Sequence, residues 1–236
     1  AIDDKGMLAA TATALAELAK QRASLRRDII FLGTAGEEGG PSVGIDWILE
    51  HHPDVLGNAE FALNEGGRVR VDGSMVRTVN IQTTEKVPYV VRALARGPSG
   101  HGSVPLPDNA LAALARATQR AHEYRSPVKL NETTRIYFAR LAEIEPDATM
   151  KAAMLRLSGA SPSPAEIDEA ANVLSRDPLH NAVLRSGIAL TMIDGGIRTN
   201  VIPSEGTASF SVRVLPNDDI RSVVREMNRI GGERQV

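Results

Sequence analysis

Cysteine is absent from the 236-residue chain. Disulfides, thiolate metal sites and cysteine nucleophiles are thereby excluded, while the compartment stays open, with the cytoplasm favoured. No run of about 18 apolar residues occurs and the start is not signal-like, so nothing reads as membrane-spanning. Charge is close to balanced, with 27 Lys and Arg against 29 Asp and Glu for a net −2, which leaves no electrostatic footprint for nucleic acid or an anionic membrane. Internal repeats and low-complexity tracts are also missing. What remains is an ordinary globular composition, 42% hydrophobic and 24% charged, long enough for one large domain or two small ones. No initiator Met heads the chain and it opens inside an acidic motif, so a fragment of a longer protein is expected.

The most informative stretch runs from Phe31 to Gly40, Phe-Leu-Gly-Thr-Ala-Gly-Glu-Glu-Gly-Gly. The apolar run Asp28–Leu32 before it predicts a buried strand, which delivers Glu37 and Glu38 into a Gly-rich loop. In open α/β sheets, ligands bind beyond the carboxyl ends of the strands. Adjacent side chains on extended backbone point to opposite sides, so one carboxylate can hold a metal while the other faces water or substrate. Two more acidic clusters accompany this pair. Asp3-Asp4-Lys5-Gly6 opens a helical pattern, and Asn64-Glu65-Gly66-Gly67 ends the apolar run Phe61-Ala62-Leu63.

These motifs, together with Gly97-Pro-Ser-Gly-His-Gly-Ser-Val-Pro105, resemble in order and spacing the M20 family of co-catalytic zinc peptidases and aminoacylases. The resemblance implies roles residue by residue. Asp3 matches the carboxylate bridging two zinc ions, for which cobalt or manganese can substitute. Glu37 matches the general base, Glu38 a ligand of one metal and Glu65 a ligand of the other. His101 matches the histidine that dimeric members reach into the partner's site to stabilise an oxyanion. Asn200, in Thr-Asn-Val-Ile-Pro, and Arg213, in Val-Arg-Val-Leu-Pro, match positions that hold substrate. The family's metal-binding histidines, one upstream of Asp3 and one far downstream, have no counterpart here. The substrate implied is a small peptide or an N-acyl amino acid, and the partner a second copy of the chain docked through a lid domain.

The remaining chain supplies the frame. Apolar spacing predicts a helix from Lys5 to about Arg22, packed on the Asp28–Leu32 strand, and another from Pro41-Ser42 to about His51. His51 and His52 read as a solvated pair at that helix end. Alternating strand and helix over the first 65 residues predicts a mostly parallel sheet. From residue 67 to 100 the pattern becomes antiparallel, with Asp72-Gly73 as a turn, and a boundary is expected near residues 83–86. A helix Asn109–Tyr124 capped by Asp108, a helical stretch over about 126–187 with Pro164 at one helix start, strands Ile188–Ile193 and Thr207–Val214, and a last helix after Asp218-Asp219 complete it. His122 and His180 read as structural. The fold class expected is α/β: a partial, mostly parallel zinc-peptidase catalytic domain over residues 1–84, plus an inserted α+β sandwich lid over residues 85–236 whose edge strand serves a dimer.

Three functions fit these residues. The first is metal-dependent amide hydrolysis in the complete protein, as peptidase or as deacylase. A second is a catalytically incompetent dimerising fragment, since three carboxylates lack the imidazoles zinc prefers. The third is a peptide-binding relative without catalysis, against which stand Glu37, Glu38 and His101.

Overall fold

The structure, a computed structural model, describes residues 2–21, 24–37, 43–234 and 236. The chain divides into two compact units, Ala1–Gln82 and Thr83–Val236. Among the described residues no helix is long and apolar enough to cross a membrane.

In the first unit, helix α1 (Ile2–Lys20) is followed by irregular chain, a short helix α2 (Ile45–His51), a 3-10 turn (Pro53–Val55) and an antiparallel hairpin of β1 (Arg68–Asp72) and β2 (Met75–Asn80). Asp4 Oδ1 accepts from the Met7 amide at 3.0 Å, occupying one of the donors a helix start leaves without a partner. Leu8 of α1 approaches Gly33, so the two segments touch at that point. The hairpin is antiparallel, with Asp72 opposite Met75, Gly73 at φ 59° in the turn and a register shift between Arg70 and Val71, but β1 is exposed on both faces, so the one-sided burial its alternation implied is not seen. The beginning expected for α2 at Pro41-Ser42 lies outside the described residues.

One expectation for this unit is corrected. Asp28–Leu32 and Phe61–Glu65 carry no regular secondary structure and form no ladder, and every strand pairing among the described residues is antiparallel. A parallel strand needs hydrogen-bonded neighbours and helices over both faces. These runs have neither: Ile29 and Ile30 are each 51% exposed and Leu63 is fully exposed.

The second unit is an α+β layer with a helical insert. A three-stranded antiparallel sheet has the order β3 (Val87–Arg96), β7 (Glu205–Val214), β5 (Gly187–Gly195). The central strand β7 alternates strictly. Ala208, Phe210, Val212 and Val214 are buried under α3 (Ala110–Glu123) and α8 (Ile220–Gly231), while Thr207, Ser209, Ser211 and Arg213 face away. The cap of α3 is Asn109 rather than the expected Asp108: the Asn109 side chain accepts from the Leu111 and Ala112 amides at 2.9 and 3.2 Å, and Asp108 sits one residue too early to reach them. Asp219 caps α8 by accepting from the Arg221 amide.

Between α3 and β5 lie α4 (Glu132–Ile144), α5 (Ala148–Ser158), α6 (Pro164–Leu174) and α7 (Pro178–Leu184), which enclose a separate core of Phe138, Met154, Leu157, Leu174 and Leu184. Pro164 occupies the first turn of α6 as expected, behind a capping box in which Ser163 and Glu166 bond each other's backbone amides. His180 Nδ1 is buried in this bundle with its ring edge-on to Phe138 at 6.1 Å, a packing role as expected. Asp218 joins bundle and sheet. Its carboxylate accepts from Lys129 at 2.6 Å and Ser186 at 2.7 Å; burial pushes the carboxyl up, but these bonds and the Asp219 amide outweigh it and hold it below the ordinary value.

Two outcomes follow from this construction. Because the cores are separate, Phe138→Ala should cost about 3–5 kcal/mol but raise amide exchange chiefly over residues 131–184, whereas Phe210→Ala should open the sheet and its two helices. Hydrogen exchange that rises equally in both regions for both variants would contradict two cores. After α8, Glu233 receives Arg116 at 2.8 Å and Arg120, and these hydrogen bonds hold its carboxyl at about 2. A depressed carboxylate stabilises the fold above its unfolded value and loses that contribution as pH falls. Denaturation midpoints of Glu233→Gln should therefore fall less steeply than wild type between about pH 5 and pH 2.

Candidate functional site

The acidic motifs belong to the first unit. Asp3 lies in the first turn of α1, with its side chain outside the described residues, as is the whole of Glu38. Glu37 is exposed and follows Gly36, whose φ of 74° admits the turn there. Glu65 is exposed and leads into β1 through Gly66 and Gly67. Gly67 has φ 72°, and a Cβ there would fall 2.1 Å from the Asn80 carbonyl, so this glycine is required by the hairpin itself. Among the described residues no three of His, Cys, Asp and Glu gather where a metal ion could be held. Three carboxylates would in any case suit a hard cation better than zinc, which takes imidazole or thiolate as well. His51 and His52 are exposed as expected, but they pack: the His51 ring stacks on Trp47 at 4.7 Å and His52 tilts against it at 5.3 Å.

The second unit brings two of the expected residues together and separates the third. After β3 the chain turns through Gly97 and Pro98 into β4 (Gly100–His101), which pairs antiparallel with β6 (Val201–Ile202), placing His101 opposite Val201. The Gly102 amide donates to the Asn200 carbonyl at 2.8 Å, and Ser99 Oγ donates to the Ile202 carbonyl at 2.9 Å. His101 and Asn200 therefore share one corner. His101 is exposed; its Nδ1 accepts from the Ser103 amide at 3.2 Å and lies 2.7 Å from Ser103 Oγ. An accepting Nδ1 leaves the neutral ring's proton on Nε2, which makes that atom a donor. The network thus sets the ring up to donate.

Arg213 lies elsewhere. It is paired with Pro88 and Gly187 near the far end of β7, whereas the His101 corner adjoins Glu205 at the near end. Eight residues of strand separate Glu205 from Arg213, about 26 Å at the usual rise. Arg213 instead lines a cavity of about 660 Å³ with Lys86, His122, Arg125 and Arg185. His122 is exposed there, at the end of α3. The sequence carries no local sign of this cavity, because Lys86, Arg125, Arg185 and Arg213 are distant along the chain and meet only when β3, α3, β5 and β7 are assembled.

Comparison with known proteins places residues 90–235 in a peptidase dimerisation domain, that of the M20 family. The chain is 27% identical over its whole length to the "Probable carboxypeptidase S-like 2" of Dictyostelium discoideum, of which it covers 45%, and 24% identical over its whole length to the human "N-fatty-acyl-amino acid synthase/hydrolase PM20D1", of which it covers 46%. It thus spans less than half the length of either relative. Among solved structures, the M20 family metallo-carboxypeptidase Sso-CP2 of Sulfolobus solfataricus superposes with a TM-score of 0.34 at 16% identity, covering 64% of this chain and 36% of that one.

The His101 corner depends on a close approach. A Cβ on Gly97 would stand 2.6 Å from the Asp108 carbonyl and 3.3 Å from the Ala110 amide, both backbone atoms. Gly97→Ala should cost about 1–3 kcal/mol and displace the His101 ring resonances in NMR spectra. Ser103→Ala, at an exposed site, should change stability by no more than about 0.5 kcal/mol while altering the tautomer signature of His101. An unchanged His101 signal in both variants would show that the loop does not position the ring.

Proposed function

Because the chain belongs to the M20 family through its peptidase dimerisation domain, we propose that the complete protein hydrolyses the amide bond of a small peptide or an N-acyl amino acid, as a homodimer. Residues 1–84 would be part of the catalytic domain and residues 85–236 the lid through which two copies dock. The observation that carries this reading is the separation within the lid: His101 and Asn200 share a corner beside the Glu205 end of β7, and Arg213 lies toward the other end, about 26 Å of strand from Glu205. A single lid cannot bring all three side chains to one carbonyl, and a site shared between two copies can.

The reaction divides among the residues as follows. Glu37 accepts the proton of the attacking water and later delivers it to the leaving amine. His101 of the second copy donates a hydrogen bond to the oxyanion of the tetrahedral intermediate. Arg213 and Asn200 hold the substrate carboxylate and its surroundings, the guanidinium offering a two-pronged match to a carboxylate. Asp3, Glu38 and Glu65 would hold zinc together with imidazole ligands, and zinc, when bound, would acidify water and polarise a carbonyl. Peptides and N-acyl amino acids are both kept as substrates, since each is an amide next to a carboxylate.

The test uses the full-length enzyme. His101→Ala and Arg213→Ala should each lower turnover by about 100- to 1000-fold, and mixing the two under exchange conditions should restore about a quarter of wild-type activity, from the one intact site in each mixed dimer. Mixed dimers that form but stay inactive would overturn the shared site. Glu37→Ala should abolish hydrolysis while metal content is retained, and retained turnover would remove Glu37 from the role of base.

A further inference from the structure

We infer that the cavity at the Arg213 end of the sheet is a binding site for a small oxyanion, gripped by Arg185, Lys86 and Arg125 beside Arg213. This deepens the reading of Arg213 and rests on it only for that residue's share; the other three cations stand on their own geometry.

The central observation is Arg185. It is only 9% exposed, and its Nε is buried without a hydrogen-bond partner. Its head is held by neutral acceptors, Nη1 donating to the Ser126 carbonyl at 3.3 Å and Nη2 to Ser175 Oγ at 3.2 Å. No ion pair neutralises it among the described residues. Burying a guanidinium is costly unless an opposite charge compensates it. A staple between Ser126 and Ser175 would account for the two Nη atoms, but it leaves Nε without a partner and does not account for the company of like charges.

That company lines the same cavity: Lys86, Arg125 and Arg213, against Glu123 as the acid in the lining. Lys86 Nζ donates to the Arg185 carbonyl at 2.5 Å, so its ammonium is anchored at the wall with further protons to offer. Burial lowers the Lys86 ammonium below its ordinary value; Arg185 is lowered first by burial and then by the neighbouring charge of Arg125, which the more weakly felt carboxylate of Asp168 offsets only in part. An oxyanion entering the cavity would relieve both effects. A volume of about 660 Å³ exceeds what a bare oxyanion fills. Inorganic phosphate fits, and so does a small molecule carrying a carboxylate or a phosphate, both of which suit a planar guanidinium beside a point-charge ammonium.

The experiment is calorimetric titration of the chain at low salt with inorganic phosphate and, separately, with N-acetylglycine. Saturable one-to-one binding is expected, weakening as sodium chloride is raised. Lys86→Met and Arg125→Met should each weaken it about tenfold. These two are preferred because Arg185→Met would also remove the bonds to Ser126 and Ser175; unchanged thermal midpoints confirm that they fold. Binding of either probe with that dependence supports the site, and the tighter probe identifies the ligand class. Absence of saturable binding, or binding unmoved by both variants, overturns the inference. Arg213→Met separates the two readings. If it alone abolishes binding, the multi-cation site falls and the role proposed for Arg213 stands; if only Lys86→Met and Arg125→Met weaken binding, the site stands and that role falls.

Discussion

The second unit depends on one strand, β7, hydrogen-bonded on both edges. Its ten residues, Glu205–Val214, pair with β3 on one edge, Gly206–Arg213 pair with β5 on the other across a register shift between Leu190 and Met192, and its alternate side chains form the floor of the core under α3 and α8. A slip of one residue would carry Phe210 and Val212 to the open face and drive Ser209, Ser211 and Arg213 into the core, so the register is strongly specified. Both candidate sites follow from it. The end beside Glu205 carries the β4–β6 clip with His101 and Asn200, and the end at Val214 carries Arg213 and the cationic cavity.

The helical insert has a different character. Its apolar core is its own, and polar groups tie it to the sheet: Asp218 receives Lys129 and Ser186, and Arg185 reaches Ser126 and Ser175. Hydrogen bonds specify direction where apolar contact does not, so such a junction orients one subdomain on another without merging their cores. The cationic cavity is built at this junction, with Arg125 and Arg185, which flank the insert, in its lining.

Legibility in the sequence varied with the range of the interaction. Period-2 alternation in Ser209-Phe-Ser-Val-Arg-Val214 and the Asp72-Gly73 turn were readable because strand faces and turn geometry are local properties. Helix caps were readable to within one residue, Asn109 taking the role expected of Asp108, since either side chain accepts well and only the backbone entry angle distinguishes them. The apolar runs Asp28–Leu32 and Phe61–Glu65 misled. A short apolar run states that a segment can be buried, but a parallel ladder also needs partners from elsewhere in the chain.

By itself, then, the sequence determined the mixed helix-and-strand class, the antiparallel character after residue 67, the Gly-rich motifs and the residue types available for chemistry, because each is written in side chains close together along the chain. Tertiary structure alone decided which of those residues meet. It joined His101 to the Asn200 turn across about a hundred residues, moved Arg213 to the other end of the same strand, and gathered Lys86, Arg125 and Arg185 around it. The physical reason is that strand register and helix docking set distances between remote residues, while local spacing sets only the face each side chain takes.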